Sequence, residues 1–330
     1  MRLRRFLFGS AALLLAAGGV FVAGPRVDGT FHPRPIALPA DLDSFLTRAE
    51  QPFPTLPAGA EKKIVWAHAV HDRTPLAIVY LHGFSATRQE TAPLCDRLAA
   101  QLGANLYYTR LTGHGLDGAA LDRASVDDWL NDATEALAIG QRLGERVILV
   151  GTSTGATLAA WLAERPGAPL RACVLLSPNF LPHDHRAQFL TWPWARQLAP
   201  HLFGPQRRRD AASAAEKQFW TADYPTTALL PMMGLVQLVA RSPLEKIRAP
   251  VLVLYSRGDQ TVDPRATEVA FARIGSAQKK LVPFEDHASA THHVLAGDIV
   301  APANTARIAE IILRFLAETA APPPTHAPSA

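Results

Sequence analysis

The chain has 330 residues, 48% of them apolar and 19% charged, which at about 150 residues per domain makes one large domain or two ordinary ones. A disordered tail and a long coiled coil are both excluded, since each needs more charge or longer heptad runs than these short apolar stretches provide. Most of the net charge of +4 comes from Arg2, Arg4 and Arg5. Without them 30 basic residues face 29 acidic ones, so nucleic acid is not an expected partner.

Those three arginines precede Phe6 to Gly24, nineteen uncharged residues in a row. As a helix that run is about long enough to cross a hydrocarbon core of roughly 30 Å. The positive-inside bias sends everything after Pro25 across the membrane. The segment 1–28 therefore reads as an uncleaved anchor, with a cleaved signal peptide as the alternative; either way the folded part is exported. Residues 29–60 are a Pro-rich lead-in with one short helix, Asp41 to Glu50.

From Ile64 onward, short apolar runs alternate with helix-length segments. Strands are expected at Ile64–Ala67, Ala77–Leu81, Asn105–Thr109, Val147–Gly151, Ala172–Leu176, Val251–Tyr255 and Leu281–Phe284. Helical spacing is clearest in Val126–Leu143, Thr154–Glu164, Arg265–Ile274 and Thr305–Glu318. The alternation predicts a mostly parallel sheet covered by helices on both faces. Between Ser177 and Pro250 no convincing strand is present, so 177–249 is expected to be an inserted helical cap. It divides the core into 61–176 and 250–319, with 320–330 a flexible tail. Cys95 and Cys173 fall in apolar helix and strand patterns and read as free core thiols.

The chemistry-bearing motif is Gly151-Thr152-Ser153-Thr154-Gly155, standing directly between an apolar strand and a helical run. G-x-S-x-G in that setting puts a serine on a turn so sharp that its neighbours must lack side chains. Ser153 is the expected nucleophile. A serine hydroxyl needs a base and an oxyanion hole. The strand ending at Leu81 runs into His82-Gly83-Phe84, where the Phe84 N–H can pair with the Thr154 N–H as oxyanion donors. His82 and His114 read as residues that hold loops rather than transfer protons.

The succession HGF, RLTGHG (Arg110 to Gly115), GTSTG, SRGDQTVDP and HHVLAGD resembles the α/β-hydrolases over roughly residues 60–318. It is most similar to the monoglyceride-lipase and serine-aminopeptidase-like branch. That resemblance implies nucleophile, acid and base in chain order, and a helical cap after the sixth strand. The acid then falls on Asp259, at the end of the strand and turn VLVLYSRGD; Asp263, before Pro264, is the runner-up and suits a helix N-cap. The resemblance places the base at His293, ahead of the Val of HVLAGD, with His292 and His287 the other candidates in that loop. A zinc site shared by these three histidines is a minor alternative; otherwise no metal and no cofactor are implied.

Trp192, Trp194, Phe203, Phe219, Trp220, Leu229, Leu230, Met232 and Met233 could give the cap an apolar underside for an acyl chain, or form the cap's own core. Asp184, Asp210, Glu216 and Asp223 are the only acids in 177–240 able to bind a peptide amino terminus there. Arg207 to Arg209 reads as a solvated face, or as a contact with anionic headgroups. The expected activity is hydrolysis of a carboxylic, lipid-like ester. An exopeptidase is the second reading and a non-catalytic binding scaffold the third.

Overall fold

The computed structural model describes residues 15–167, 169–285 and 288–320. Met1 to Leu14, half of the expected anchor segment 1–28, lie outside the described residues, as do 321–330 of the tail. Residues 15–22 are helical, and among the described residues no helix is long and apolar enough to cross a membrane.

Nine strands and ten helices are named here in chain order. They are α1 (Leu42–Glu50), β1 (Lys63–Val65), β2 (Thr74–Leu81), α2 (Leu94–Leu102), β3 (Asn105–Tyr108), α3 (Gly118–Arg123), α4 (Val126–Leu143), β4 (Gly144–Thr152), α5 (Thr154–Ala163) and β5 (Leu170–Leu176). There follow α6 (Ala195–Phe203), β6 (Gln206–Arg208), α7 (Ala214–Phe219), β7 (Asp223–Pro225), α8 (Leu229–Arg241), β8 (Val251–Tyr255), α9 (Pro264–Arg273), β9 (Lys279–Pro283) and α10 (Thr305–Glu318). The main sheet has seven strands in the order β1-β3-β2-β4-β5-β8-β9. Only the edge strand β1 runs antiparallel to its neighbour; the other pairings are parallel.

Period-two alternation distributes the sheet's side chains between two apolar layers. Val79, Leu81, Leu149, Leu175 and Val253 face the layer covered by α4, α5 and α8. Ile78, Tyr80, Val150, Val174 and Leu254 face the layer covered by α2 and α10. Both sides of the central strands are dry, so they read in sequence as continuous apolar runs. Cys95 and Cys173 are buried free thiols, as expected, and burial pushes the Cys173 thiol up to about 12.

Helix ends follow from local chemistry. Ser125 and Asp128 close a capping box on α4, and Asp41 caps α1. The lead-in lies along α4, where the His32 N–H donates to Asp127 and the Arg34 N–H to Asn131, at 2.7 and 2.8 Å.

The segment 177–249 corrects one expectation. Besides α6, α7 and α8 it holds a two-stranded antiparallel ribbon, β6 with β7. Each strand has three residues, polar and ending near Pro225, too short and too charged to produce an apolar run. Arg208 on this ribbon pairs with Asp223 on a solvated face, and Arg209 just beyond it pairs with the buried Glu216. Helix α8 carries Leu230, Met232, Met233 and Leu235 into the main core, so that part of the apolar set is structural packing. Trp192 and Phe189, by contrast, form an exposed edge-to-face pair with ring centroids 4.6 Å apart.

Candidate active site

Strand β4 delivers Ser153 with φ 53° and ψ −118°, a left-handed backbone at a residue that is not glycine. The turn closes only because Gly151 and Gly155, two residues to either side of the serine, lack side chains. A Cβ on Gly151 would lie 2.4 Å from the Gly155 carbonyl oxygen, and one on Gly155 would lie 2.0 Å from the Leu81 carbonyl oxygen. The second contact is what lets α5 begin against the end of β2, where the oxyanion loop starts. The elbow is held from outside as well. The Ser153 N–H donates to Leu176 O at 2.9 Å, and Ser153 O accepts the Asn179 N–H at 3.2 Å. Thr154 opens α5, so its N–H belongs to the first turn, which has no carbonyl partner within the helix.

At the end of β8, Asp259 is 2% exposed and fully engaged. Its Oδ1 accepts the N–H groups of Thr261 and Val262 at 2.7 and 3.0 Å, while Oδ2 meets His293 Nδ1 at 2.7 Å. His293, itself 7% exposed, comes from the loop after β9. Parallel β4 and β8 thus present Ser153 and Asp259 beyond the same carboxyl edge, with β5 between them.

The other candidates are elsewhere. Asp263 caps α9, accepting the Arg265 N–H at 2.8 Å, and its second oxygen lies 2.8 Å from His185 Nε2. Burial opposes its charge, yet the hydrogen bonds from His185, Arg265 and Ala266 hold its carboxyl below the ordinary range. His292 lines a separate cleft with Arg257, Phe284 and Arg307. His287 lies outside the described residues. The minor zinc alternative, which needs His287, falls outside the described residues with it. Among the described residues the one group with metal-ligand spacing is Asp41, Asp43 and His71, remote in sequence from this edge and on the lead-in side.

The loop His82-Gly83-Phe84 is bolted down by His82. Its Nε2 accepts the Leu111 N–H at 3.0 Å, which leaves Nδ1 protonated and donating to Gly83 O at 2.9 Å. Burial lowers the His82 pKa to about 4 and that of His114 well below its ordinary value, so both rings are neutral. Their centroids are 4.9 Å apart. Both are structural, as expected. The cap closes on this loop: the Thr221 N–H donates to Ser85 O at 2.8 Å and Phe84 packs edge-on to Tyr224 at 5.4 Å.

Two participants carry no motif. Asn179 ties the elbow to the cap, its Nδ2 lying 3.0 Å from Met232 Sδ and its carbonyl accepting the Thr157 hydroxyl at 2.7 Å. Glu90 is 2% exposed, accepts the Gly83 N–H at 2.6 Å, and is raised by burial to about 8. A glutamate soon after the His-Gly turn is the only sequence signal for it. The larger surface clefts, about 660 and 510 Å³, are lined around Phe53 and Trp220 and around His183 and Asp263, and neither is lined by Ser153, Asp259 or His293. Buried, hydrogen-bonded side chains rather than the widest opening define the site.

A doubly covered parallel sheet with a strained serine between strand and helix, and an Asp–His pair beyond the same edge, defines an α/β-hydrolase. Residues 73–296 match the family described as serine aminopeptidase, S33; the chain belongs to it and is a serine hydrolase. A thermostable monoacylglycerol lipase from Bacillus sp. (strain H-257) is 25% identical over 251 residues, covering 74% of this chain and 92% of that protein. Among solved structures, one from a study of the metagenome-derived lipolytic enzymes LipS and LipT superposes with a TM-score of 0.62 at 21% identity. It covers 79% of this chain and 98% of its own. A monoacylglycerol lipase from Paleococcus ferrophilus gives 0.57 at 16% identity, over 78% of this chain and 98% of that one. The solved structures speak to the fold alone.

Proposed function

We propose that the protein hydrolyses carboxylic esters of acyl, lysolipid-like or monoacylglycerol type through an acyl-enzyme. Ser153 Oγ attacks the ester carbonyl carbon while His293 Nε2 takes its proton. Asp259 fixes the tautomer through Nδ1 and stabilises the imidazolium. The carbonyl oxygen becomes an oxyanion facing the Phe84 and Thr154 N–H groups. Collapse breaks the C–O bond, and His293 returns the proton to the departing alcohol. Water, deprotonated by the same imidazole, then attacks the acyl-enzyme, releasing the fatty acid and restoring Ser153.

The observation that carries this reading is the 2.7 Å contact between His293 Nδ1 and Asp259 Oδ2, a bond that leaves Nε2 as the ring's free basic position. The lipolytic relative from Bacillus supports the ester substrate. A fluorophosphonate probe tests it: the wild type labels and Ser153→Ala does not. Equal labelling of the two would remove the nucleophile assignment.

Membership of the serine aminopeptidase family favours a second reading, an exopeptidase. The cap acids weigh against it. Asp184, Glu216 and Asp223 are each paired with an arginine, and Asp210 is exposed, so none is a buried, unpaired carboxylate for an amine. Parallel assays on p-nitrophenyl acyl esters and aminoacyl anilides separate the two.

We also propose that the catalytic part is exported and stays tethered through its N-terminal segment. The arginines before the apolar run support this; the end of that run packs on the folded part, where a Cβ on Gly24 would fall 2.0 Å from Trp194 Nε1. The Trp194 N–H donates to Pro25 O at 2.8 Å. The intact mass of the exported protein decides between anchor and cleaved signal.

A further inference from the structure

Behind the oxyanion loop lies a carboxyl group that the acyl-transfer steps do not use. Glu90 ends the short 3-10 turn Arg88–Glu90, and its Oε1 accepts two hydrogen bonds, from the Gly83 N–H at 2.6 Å and the Tyr80 hydroxyl at 2.7 Å. The same Tyr80 hydroxyl lies 3.1 Å from Thr152 Oγ1, on the residue before the nucleophile. One side chain therefore joins the start of the oxyanion loop, the neighbouring strand and the approach to the elbow.

Its second oxygen is closer still to the chemistry. A Cβ built on Gly83 would stand 2.9 Å from Glu90 Oε2 and 3.3 Å from Ser153 Cβ, so the carboxyl and the nucleophile crowd the same bare face of Gly83. On its other side the turn is wedged against the loop that follows His293. A Cβ on Gly297 would lie 2.5 Å from Glu90 O, and the Asp298 N–H donates to Ala92 O at 2.8 Å.

Among the described residues no cation pairs with Glu90. Arg88 on its own turn is turned to Glu61 at 2.8 Å. From β2, Tyr80 faces it, and Cys95 of α2 lies beyond Tyr80; burial pushes both well above their ordinary values, so both stay neutral. His82, next to Gly83, is neutral above about pH 5 because burial holds it near 4. From the His293 loop the nearest titratable side chain in sequence to the Gly297 contact is Asp298, which is exposed. Desolvation therefore dominates at Glu90, against the hydrogen bonds from Tyr80 and Gly83, and raises it to about 8.

We propose that Glu90 is a positioning residue of the oxyanion hole that works as a neutral acid: it fixes Gly83 so that the Phe84 N–H stays aimed, and its ionisation weakens the hole. The physical reason is charge. An oxyanion is stabilised by fixed donors in a dry site, and a carboxylate a few ångströms behind those donors opposes the same developing negative charge. The inference rests on the serine-hydrolase reading of Ser153 and Phe84 given above.

The test follows the second-order rate of fluorophosphonate labelling, and kcat on a short p-nitrophenyl ester, from pH 6 to 10 for wild type, Glu90→Gln and Glu90→Ala. Wild type should lose rate on an alkaline limb centred near pH 8. Glu90→Gln keeps an acceptor for Gly83 and cannot ionise, so it should stay within about threefold of wild type at pH 7 and lose that limb. Glu90→Ala frees Gly83 and should lose about 10²-fold in kcat with little change in KM, the size of a missing oxyanion donor. An unchanged alkaline limb in Glu90→Gln overturns the proposal, whether or not Glu90→Ala folds. Failure of the site reading looks different: wild type and Ser153→Ala would then label alike at every pH.

Discussion

The carboxyl edge of the sheet and the inserted segment are built on opposite terms. At the edge, Asp259 spends three contacts on Thr261, Val262 and His293, and Gly155 is so close to Leu81 that no side chain fits. In the segment 177–249 the ribbon strands have three residues each, and Trp192 is 49% exposed. The chemistry stands on groups that cannot move without breaking several bonds. The inserted segment, by contrast, has a surface that can change at small cost.

Substitutions that sharpen this contrast rank by how directly they touch the edge. Ser153→Ala should reduce ester kcat by about 10⁶, to the level left by binding and the oxyanion hole, with Tm unchanged. Asp259→Asn retains an acceptor for Thr261 but spoils the His293 tautomer, and should cost about 10⁴ in kcat. Asp263→Asn, tested on the same preparation, should leave kcat within a few-fold, since Asp263 caps α9. Equal losses in the two would show that the acid has been assigned to the wrong carboxylate. Gly155→Ala should destabilise by more than about 3 kcal/mol in urea unfolding, because the new Cβ meets backbone rather than a flexible side chain.

Acid provides a third kind of probe. His82 is held neutral with its pKa lowered to about 4, whereas in the unfolded chain it titrates near its ordinary 6.5. Unfolding then takes up a proton, so the stability it contributes is complete above the unfolded value and is lost as pH falls toward 4. Between pH 7 and 5 urea unfolding should show a loss of about 2 kcal/mol from this residue. A fold equally stable at both would contradict the buried neutral imidazole. The smallest effect belongs to the cap. Trp192→Ala should leave Tm unchanged and short-ester kcat within about twofold, while slowing turnover of dispersed long-chain monoacylglycerol. A large loss on the short ester would erase the distinction between edge and cap.

How much of this was legible in the sequence follows the same division. Buried parallel strands announce themselves as apolar runs, so β2, β4, β5 and β8 lie where the runs at Ala77, Val147, Ala172 and Val251 put them. The elbow was legible because its glycines are demanded by contacts of 2.0 to 2.4 Å. The Asp259–His293 contact was not, since 34 residues separate the two and spacing alone left His292 open; only the family resemblance chose between them. The ribbon escaped because Arg207 pairs with Tyr224 across a gap that no local pattern bridges. Glu90 and Asn179 escaped because their importance lies in what surrounds them: a glutamate in a loop looks solvated until the loop is folded under β2.

The most direct test of the central claim is the structure of the fluorophosphonate adduct. Phosphorus should be bonded to Ser153 Oγ, with its free oxygen about 3 Å from the N–H groups of both Phe84 and Thr154 and with His293 Nε2 facing Oγ. Phosphorus on another residue, or the imidazole of His292 or His287 in that place, would contradict the account.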